Sequence, residues 1–533
     1  MKPLLARRLS PELMIFGVAI FLTAFANFTF FGRVLQTFPL ATHALPVASL
    51  ALALVAVQVL LLGVLAIGRA TKGVLIIMLF VSALAAYFVD SFGITINSEM
   101  LENVLQTNPH EALDLLTGKL LIYLIALGLL PSLVLGRLQL APRSAGRALL
   151  ARLLLLFAAL AVLVGCFLAF GSFYATFGRE HKSLRTGINP GYPVYSMVQL
   201  ARKHWRAKND GPPAAIGVDA RIPPHEDREL VILVVGETAR ADHFSLNGYA
   251  RDTNPELARE NVISLDGFLA CGTSTAVSVP CMFSLAGSRG EDVRRENLLD
   301  VMQRAGVHVL WRDNNSDSKG VALRIPYENF QSSDLNPVCD TECRDVGMLA
   351  GLQEIIDARP KGDILIVLHQ MGNHGPAYYK RYPAEFETFK PACRNNDLSQ
   401  CSQQEIVNAY DNALRYTDHF LAQAISLLKR NDKKFETALF YVSDHGESLG
   451  ESGIFLHGMP KAIAPNAQLH VPAILWFGEN FDEIDRAALA KKRSLPFTHD
   501  NLFHTLLGFM EIETGIYRPE MDILTGVRLP DRD

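Results

Sequence analysis

The stretch Leu230-Val-Ile-Leu-Val-Val235-Gly236-Glu237-Thr238 is six apolar residues, mostly β-branched, followed at once by a glycine and a carboxylate. It lacks the in–out alternation of a half-solvated strand, so it predicts a strand covered on both faces. Runs of the same kind occupy residues 262–265, 307–311, 364–368, 439–442 and 471–477, with helical patterns at 293–305, 346–358 and 405–428. Buried strands separated by helices predict a mostly parallel central sheet in an α/β domain over residues 229–533. That length suffices for one large domain. There is no internal repeat and no low-complexity tract.

Open α/β sheets bind ligands outside the carboxyl ends of their strands. The residues that follow the strands here are Gly236-Glu237-Thr238, His369-Gln370-Met371-Gly372-Asn373-His374 and Ser443-Asp444-His445-Gly446-Glu447. One Asp-His pair alone would read as a structural hydrogen bond. Three strand ends carrying Glu, His and Asp-His read as a metal centre, and imidazole with carboxylate suits catalytic zinc or manganese. The segment Cys271-Gly-Thr-Ser-Thr275-Ala-Val-Ser-Val-Pro-Cys281 offers hydroxyl nucleophiles. A neutral alcohol needs a base or a metal to react. If the segment opens a helix, its free N–H groups would face a phosphate.

Upstream the composition changes. The chain has 533 residues, 49% hydrophobic and 20% charged, with a formal charge of −4 and a mean hydropathy of +0.18. These values exclude a disordered or nucleic-acid-coating protein. The apolar residues concentrate at 13–32, 46–68, 73–89, 120–136 and 153–178, runs nearly free of charge and apolar on all sides. A bilayer core needs roughly 20 apolar residues of helix, so five spans are expected over residues 1–178. Lys2, Arg7, Arg8, Arg69, Lys72, Arg137, Arg143, Arg147 and Arg152 fall on one side of such spans, and only Arg33 and Lys119 on the other. The positive-inside rule then puts the N-terminus in the cytoplasm and everything after residue 178 outside, with no cleavable signal peptide. Residues 179–228 read as a linker, with an amphipathic helix at 195–208 whose Trp205 and basic residues suit a bilayer surface.

Cysteine usage points the same way. Of seven cysteines, Cys166 lies within an apolar run and six lie beyond it. Local spacing suggests the pairs Cys271–Cys281, Cys339–Cys343 and Cys393–Cys401 among those that six cysteines permit. Zinc ligation is the rival reading, but no Cys-x-x-Cys pair occurs. Disulfides persist in a periplasm.

The segments Gly236-Glu237-Thr238-Ala239-Arg240, Cys271 to Cys281, Asp313-Asn-Asn-Ser-Asp-Ser-Lys319, His369-Gln-Met-Gly-Asn-His374-Gly-Pro376 and Ser443-Asp444-His445-Gly-Glu-Ser-Leu-Gly450 together resemble the lipid A phosphoethanolamine transferases. That family includes the mobile colistin resistance enzymes and belongs to the alkaline phosphatase superfamily. The resemblance implies a catalytic zinc held by Glu237, Thr275, Asp444 and His445, with Thr275 as nucleophile. It places His374 and His457 at the phosphate or at a second zinc of variable occupancy. Asn315, Ser316 and Lys319 would line the donor pocket with His369 nearby, and Asn103, Thr107 and Glu111 would lie near the donor headgroup. Four-residue spacing could put those three on one helix face, which Pro109 would interrupt or kink.

The implied protein is a monomeric, multi-pass enzyme of the bacterial inner membrane that binds no nucleic acid. Its donor would be phosphatidylethanolamine and its acceptor a phosphate of lipid A in lipopolysaccharide, with polymyxin resistance as the phenotype. Alternatives of the same superfamily act on the Kdo or heptose of the lipopolysaccharide core, transfer phosphoglycerol, or hydrolyse phosphate esters. A membrane sensor or scaffold with an inactive enzyme domain is the reading from another class; the presence of every candidate ligand and of the nucleophile opposes it.

Overall fold

A computed structural model describes residues 8–106, 115–209, 211–224, 227–290 and 294–529. They form two compact units, residues 8–101 with 115–202, and residues 102–106 with 203–529.

In the first unit four helices, Leu40–Leu65, Gly68–Phe92, Gly118–Arg137 and Ala145–Ala169, are long and apolar enough to cross a membrane. The first apolar run breaks instead into Pro11–Phe25 and Phe28–Thr37, bent by 58°, and makes a fifth span if the pair counts as one. Polar side chains satisfy the backbone freed at this break, as an apolar surrounding requires. Asn27 donates to Leu22 O at 2.9 Å and Asn189 O at 2.7 Å, while Asn189 Nδ2 donates to Ala26 O at 3.0 Å and Ser82 O at 2.8 Å. The last run also differs from the expected 153–178: its helix starts at Ala145, ends at Ala169, and is followed by a separate helix Gly171–Glu180. Arg152 therefore sits on a helix. Its guanidinium donates to Gly63 O and Ala66 O at 2.7 Å each, at the negative end of the Leu40–Leu65 helix.

The second unit is built on a seven-stranded sheet: β1 Glu229–Gly236, β2 Ile263–Leu265, β3 His308–Asp313, β4 Tyr327–Asn329, β5 Ile364–His369, β6 Glu436–Ser443 and β7 Ala473–Phe477, in the order β2-β7-β6-β1-β5-β3-β4. β1 is central and buried along its whole length, pairing in parallel with β5 and β6. Residues Val231, Leu233 and Val235 join Leu299, Met302, Phe503 and Leu506 in a core on one face. The long helix Gln403–Asn431 opens with a Ser402/Glu405 capping box and ends with Lys429 and Arg430, matching the helix dipole at both ends.

The six expected strands are all present. β7 runs antiparallel to both its neighbours, so the residues after it leave at the opposite edge from the other strands' carboxyl ends. β4 is an additional edge strand of three residues. The expected helix at 293–305 starts only at Leu298, where Asn297 and Asp300 form a capping box. The pattern at 346–358 divides at Gly351, whose φ of +70° no helix interior accepts, leaving a helix Leu352–Asp357. A helix spans Gly191–Asn209, with Trp205 70% exposed. Farther on, Ile216 packs into the sheet unit's core.

Candidate metal centre and nucleophile

The carboxyl ends of β1, β3, β5 and β6 deliver the site. After β1 the chain passes through Gly236, where a Cβ would lie 2.5 Å from the Tyr441 ring, and turns at Thr238 with φ +52°. Glu237 is thereby set beside the end of β6, where Asp444 N donates to Gly236 O at 2.9 Å and Thr238 N donates to Asp444 Oδ1 at 3.3 Å. The loop that carries Thr275 comes from elsewhere in the chain. Ser274 precedes and Thr275 begins the helix Thr275–Met282, and disulfide Cys271–Cys281 ties the residues before Thr275 to that helix. Thr273 fastens the loop to the segment that carries His457: its hydroxyl donates to Met459 O at 2.6 Å and its carbonyl accepts from Gly458 N at 2.8 Å.

These elements converge. Thr275 Oγ1 donates to Glu237 Oε2 at 3.0 Å and lies 3.4 Å from His445 Nε2. His445 Nε2 is 3.4 Å from both Glu237 Oε1 and Asp444 Oδ2. All four residues are buried. Burial first, then the charge of Asp444, pushes Glu237 up to about 8. Burial likewise pushes Asp444 up to about 7 and His445 down to about 4.

The residues fit a divalent cation. Glu237 Oε1 and Asp444 Oδ2 are buried oxygens with no hydrogen-bond partner, and buried anionic oxygens call for a cation or a proton. The ring of His445 has Nδ1 2.9 Å from Gly446 O, which as a donor fixes the tautomer with a lone pair at Nε2. Ligand atoms of Glu237, Asp444 and His445 lie within 4.8 Å of one another, as do those of His445, Glu447 and His457. Two carboxylates, one neutral imidazole and no thiolate suit catalytic zinc.

The other expected residues distribute around this centre. The His457 ring lies 4.3 Å from that of His445 and 5.6 Å from that of His374, and its Nδ1 is 2.8 Å from Glu447 Oε2. His374 is half-buried, and desolvation there, with the neighbouring basic groups, holds its pKa well below the ordinary value. Asn315 does more than line a pocket: its Nδ2 donates to Glu237 Oε2 at 2.7 Å and to Gln370 O at 2.9 Å. Ser316 donates to Asn315 Oδ1 at 2.8 Å, and Lys319 Nζ donates to Ser316 O at 2.5 Å. His369 Nδ1 lies 2.8 Å from Asp313 Oδ2. Asn103 is on the helix Ser98–Gln106; Thr107 and Glu111 lie outside the described residues. The three disulfides are Cys271–Cys281, Cys339–Cys343 and Cys393–Cys401, with Cys166 free.

Three supporting carboxylates escaped the sequence reading. Glu447 accepts from Tyr378 at 2.6 Å besides meeting His457. Asp345 accepts from Met371 N at 2.8 Å and Gly372 N at 3.1 Å, fixing the turn after β5. Asp313 closes β3. Asp313 and Glu447 sit inside quoted motifs at strand ends, so the rule that found Glu237 and Asp444 also reaches them; Asp345 carries no such local signal.

Comparison with known proteins agrees with this geometry. The Sulfatase family profile matches residues 229–512, and the profile described as Phosphoethanolamine transferase EptA/EptB matches residues 54–205. Phosphatidylethanolamine transferase Mcr-1 of Escherichia coli is 44% identical over 524 residues, 95% of this chain and 96% of that protein. Phosphoethanolamine transferase EptA of Salmonella typhimurium is 38% identical over 94% of each chain. The solved integral membrane lipooligosaccharide phosphoethanolamine transferase A of Neisseria meningitidis matches with a TM-score of 0.93 at 34% identity, covering 98% of this chain and 100% of that one. With likeness of this extent over nearly the whole length of the chain, it belongs to the phosphoethanolamine transferase family of Mcr-1 and EptA.

Proposed function

We propose that this protein transfers phosphoethanolamine from phosphatidylethanolamine to a phosphate group of lipid A, through a phosphoethanolamine ester of Thr275, at the periplasmic face of the inner membrane. The observation that carries this reading is the hydroxyl of Thr275, 3.0 Å from Glu237 Oε2 and 3.4 Å from His445 Nε2, beside two unpartnered carboxylate oxygens. Residues 1–178 would hold the membrane spans and residues 229–533 the catalytic domain, with the helix Gly191–Asn209 between them lying at the bilayer surface.

Zinc held by Glu237, Thr275, Asp444 and His445 would supply Lewis acidity toward the phosphoryl oxygens and lower the pKa of the hydroxyl. The two carboxyl oxygens of Glu237 divide the labour: Oε1 is free for the cation, and Oε2 already accepts the hydroxyl of Thr275. In the first half-reaction Oε2 takes the Thr275 proton, Oγ1 bonds to phosphorus, the bond from phosphorus to the diacylglycerol oxygen breaks, and that oxygen takes the proton from Oε2 and leaves as the alcohol. In the second, an oxygen of the lipid A phosphate bonds to phosphorus, the bond to Oγ1 breaks, and Oγ1 regains a proton from the attacking phosphate group or from water. The start of the helix at Thr275 favours the phosphate's negative charge, and Lys319, His374 and His457 would oppose charge on the phosphoryl oxygens. The added ammonium lowers the negative charge that draws cationic peptides such as polymyxins to the surface.

The test has two readouts. Intact mass of the purified protein incubated with phosphatidylethanolamine should show one phosphoethanolamine on Thr275, absent from Thr275→Ala. Mass spectrometry of lipopolysaccharide from cells with and without the protein should place the new group on lipid A phosphate. Its appearance on Kdo or heptose instead would reassign the acceptor.

A further inference from the structure

Asp313 closes β3 with a fully buried carboxylate, and both its oxygens are engaged. Oδ2 is 2.8 Å from His369 Nδ1 and accepts Trp311 Nε1 at 2.9 Å. Oδ1 accepts the backbone N–H of Asn315 at 2.9 Å and of Asp317 at 3.2 Å. One of its partners, Asn315, is hydrogen-bonded to a reacting group, and the other, His369, interacts electrostatically with Glu237 and Asp444. Asn315 passes the connection to Glu237 Oε2, the oxygen that holds the Thr275 hydroxyl. His369, with no exposed surface, keeps Nε2 buried and without a hydrogen-bond partner.

A buried ring nitrogen without a partner is costly unless a ligand completes it. His369 closes β5 in register with Asp313 on the neighbouring β3, so the pairing is set by strand register rather than by a loose loop. Burial opposes charging His369, and the neighbouring carboxylates, Asp313 foremost, together more than offset it, so its pKa is raised.

We propose that Asp313 is a positioning residue of the transfer reaction: by holding His369 at Nδ1 it directs Nε2 to the substrate's phosphoryl group, and by holding Asn315 it sets Glu237 against Thr275. This rests on the function proposed above and adds a residue to its machinery. In that arrangement His369 is protonated at both ring nitrogens, Nδ1–H donating to Asp313 Oδ2 and Nε2–H to a phosphoryl oxygen, and no covalent step at His369 is involved. A hydrogen-bonded carboxylate behind a histidine fixes its ring orientation and favours its charged form.

The experiment measures single-turnover formation of the Thr275 ester by intact mass, using the full-length zinc-loaded protein in detergent micelles containing phosphatidylethanolamine. Asp313→Asn should slow ester formation on the order of 10- to 100-fold, with zinc content and melting temperature unchanged. His369→Ala should slow it too, and Asp313→Asn/His369→Ala should be slower than His369→Ala only by what Asn315 transmits, far short of the product of the two single losses. A wild-type rate in Asp313→Asn, or losses that multiply, would overturn the proposal. Should Asp313→Asn not fold, Asp313→Glu keeps the charge while displacing it by one methylene; a reduced rate at normal zinc content supports the assignment, and a wild-type rate overturns it. Absence of the ester in the wild-type protein would sink the proposed function itself, whereas ester formation with an indifferent Asp313 would sink this inference alone.

Discussion

The two edges of the catalytic sheet bury acids to the same degree and use them differently. At the amino edge, Glu229 and Asp363 are each 2% exposed and Glu436 is 7% exposed. Burial, then a hydrogen bond with Asp363, raises Glu229 to about 10, and burial with nearby acids raises Glu436 to about 8. At the carboxyl edge Glu237 and Asp444 are raised to about 8 and about 7. Burial and pKa direction therefore do not single out a site. Convergence does: among the described residues, both groups able to hold a metal ion are at the carboxyl edge, where His445 and the Thr275 hydroxyl meet the acids. The amino edge instead sets carboxyls beside one another and satisfies carbonyls of the loop that leads into β5, with Arg228 donating to Gly362 O at 2.6 Å and Arg359 O at 3.0 Å. Strand direction creates the asymmetry, because loops leaving parallel strands can bring distant side chains together at one edge only.

The contrast breaks most severely if the nucleophile is elsewhere. Thr275→Ala should lower phosphoethanolamine transfer by at least ~10⁴-fold, since removing a covalent nucleophile removes the route and not merely some stabilisation. The variant should melt as the wild type does and keep zinc, because three protein ligands remain. Normal product at equal expression would refute the assignment.

Removing a carboxylate from the carboxyl edge comes next. Glu237→Ala should lose zinc as well as transfer, on the order of 10³-fold in rate, as expected when a first ligand of a Lewis-acid centre is lost. Metal analysis of the purified variant decides this, and unchanged zinc would count against Glu237. The sign of the pH dependence provides a further measurement. Both site carboxylates are raised above their ordinary values, so in chelator-treated protein their protonated forms stabilise the fold fully below the ordinary carboxyl range, and this is lost as pH rises toward about 8. Zinc competes with those protons, and its affinity grows with pH. Zinc should therefore raise the melting temperature more at pH 8 than at pH 6; at 100 times its dissociation constant the gain is ~2.7 kcal/mol.

A smaller effect is expected from the disulfide around the nucleophile. Cys271→Ser/Cys281→Ser opens a crosslink of sequence separation 10, with a loss of ~2–3 kcal/mol by loop entropy. Cys393→Ser/Cys401→Ser, with separation 8, should destabilise comparably. Only the first should slow ester formation, because only that loop carries Thr275. Equal activity losses in the two pairs would mean the crosslinks matter through stability alone.

Much of this edge could be read from the sequence because runs buried on both faces, such as Leu230 to Val235, announce strands without alternation, and their carboxyl ends then name Glu237, His369 and Asp444 in turn. The direction of β7 carried no such sign, since a fully buried run looks the same in either orientation. β4, at three residues, is too short to show a period. The break at Ala26 and Asn27 was hidden for another reason: hydropathy registers the apolar run, whereas the bend depends on Asn189, more than 150 residues away. Asp345 was invisible likewise, since its role consists of backbone N–H groups donated by Met371 and Gly372.

The smallest expected effect is the sharpest check on the comparison. Glu229→Gln keeps the shape and hydrogen bonding of the amino edge but cannot ionise. If that edge is only structural, zinc content and ester formation should stay within about twofold of wild type, because a shape-conserving change far from the reacting groups leaves their geometry intact. Stability should still change with pH. Glu229 is raised to about 10, so the wild-type fold retains its proton while the unfolded chain releases it, and stability falls as pH climbs from the ordinary carboxyl range toward that value. The glutamine variant lacks this dependence. Thermal unfolding of the two proteins should therefore nearly coincide at pH 5 and diverge by pH 9, with Glu229→Gln the more stable. A loss of zinc or of ester formation in this variant would mean that the two edges communicate through β1, and the amino edge would have to be counted as part of the catalytic machinery.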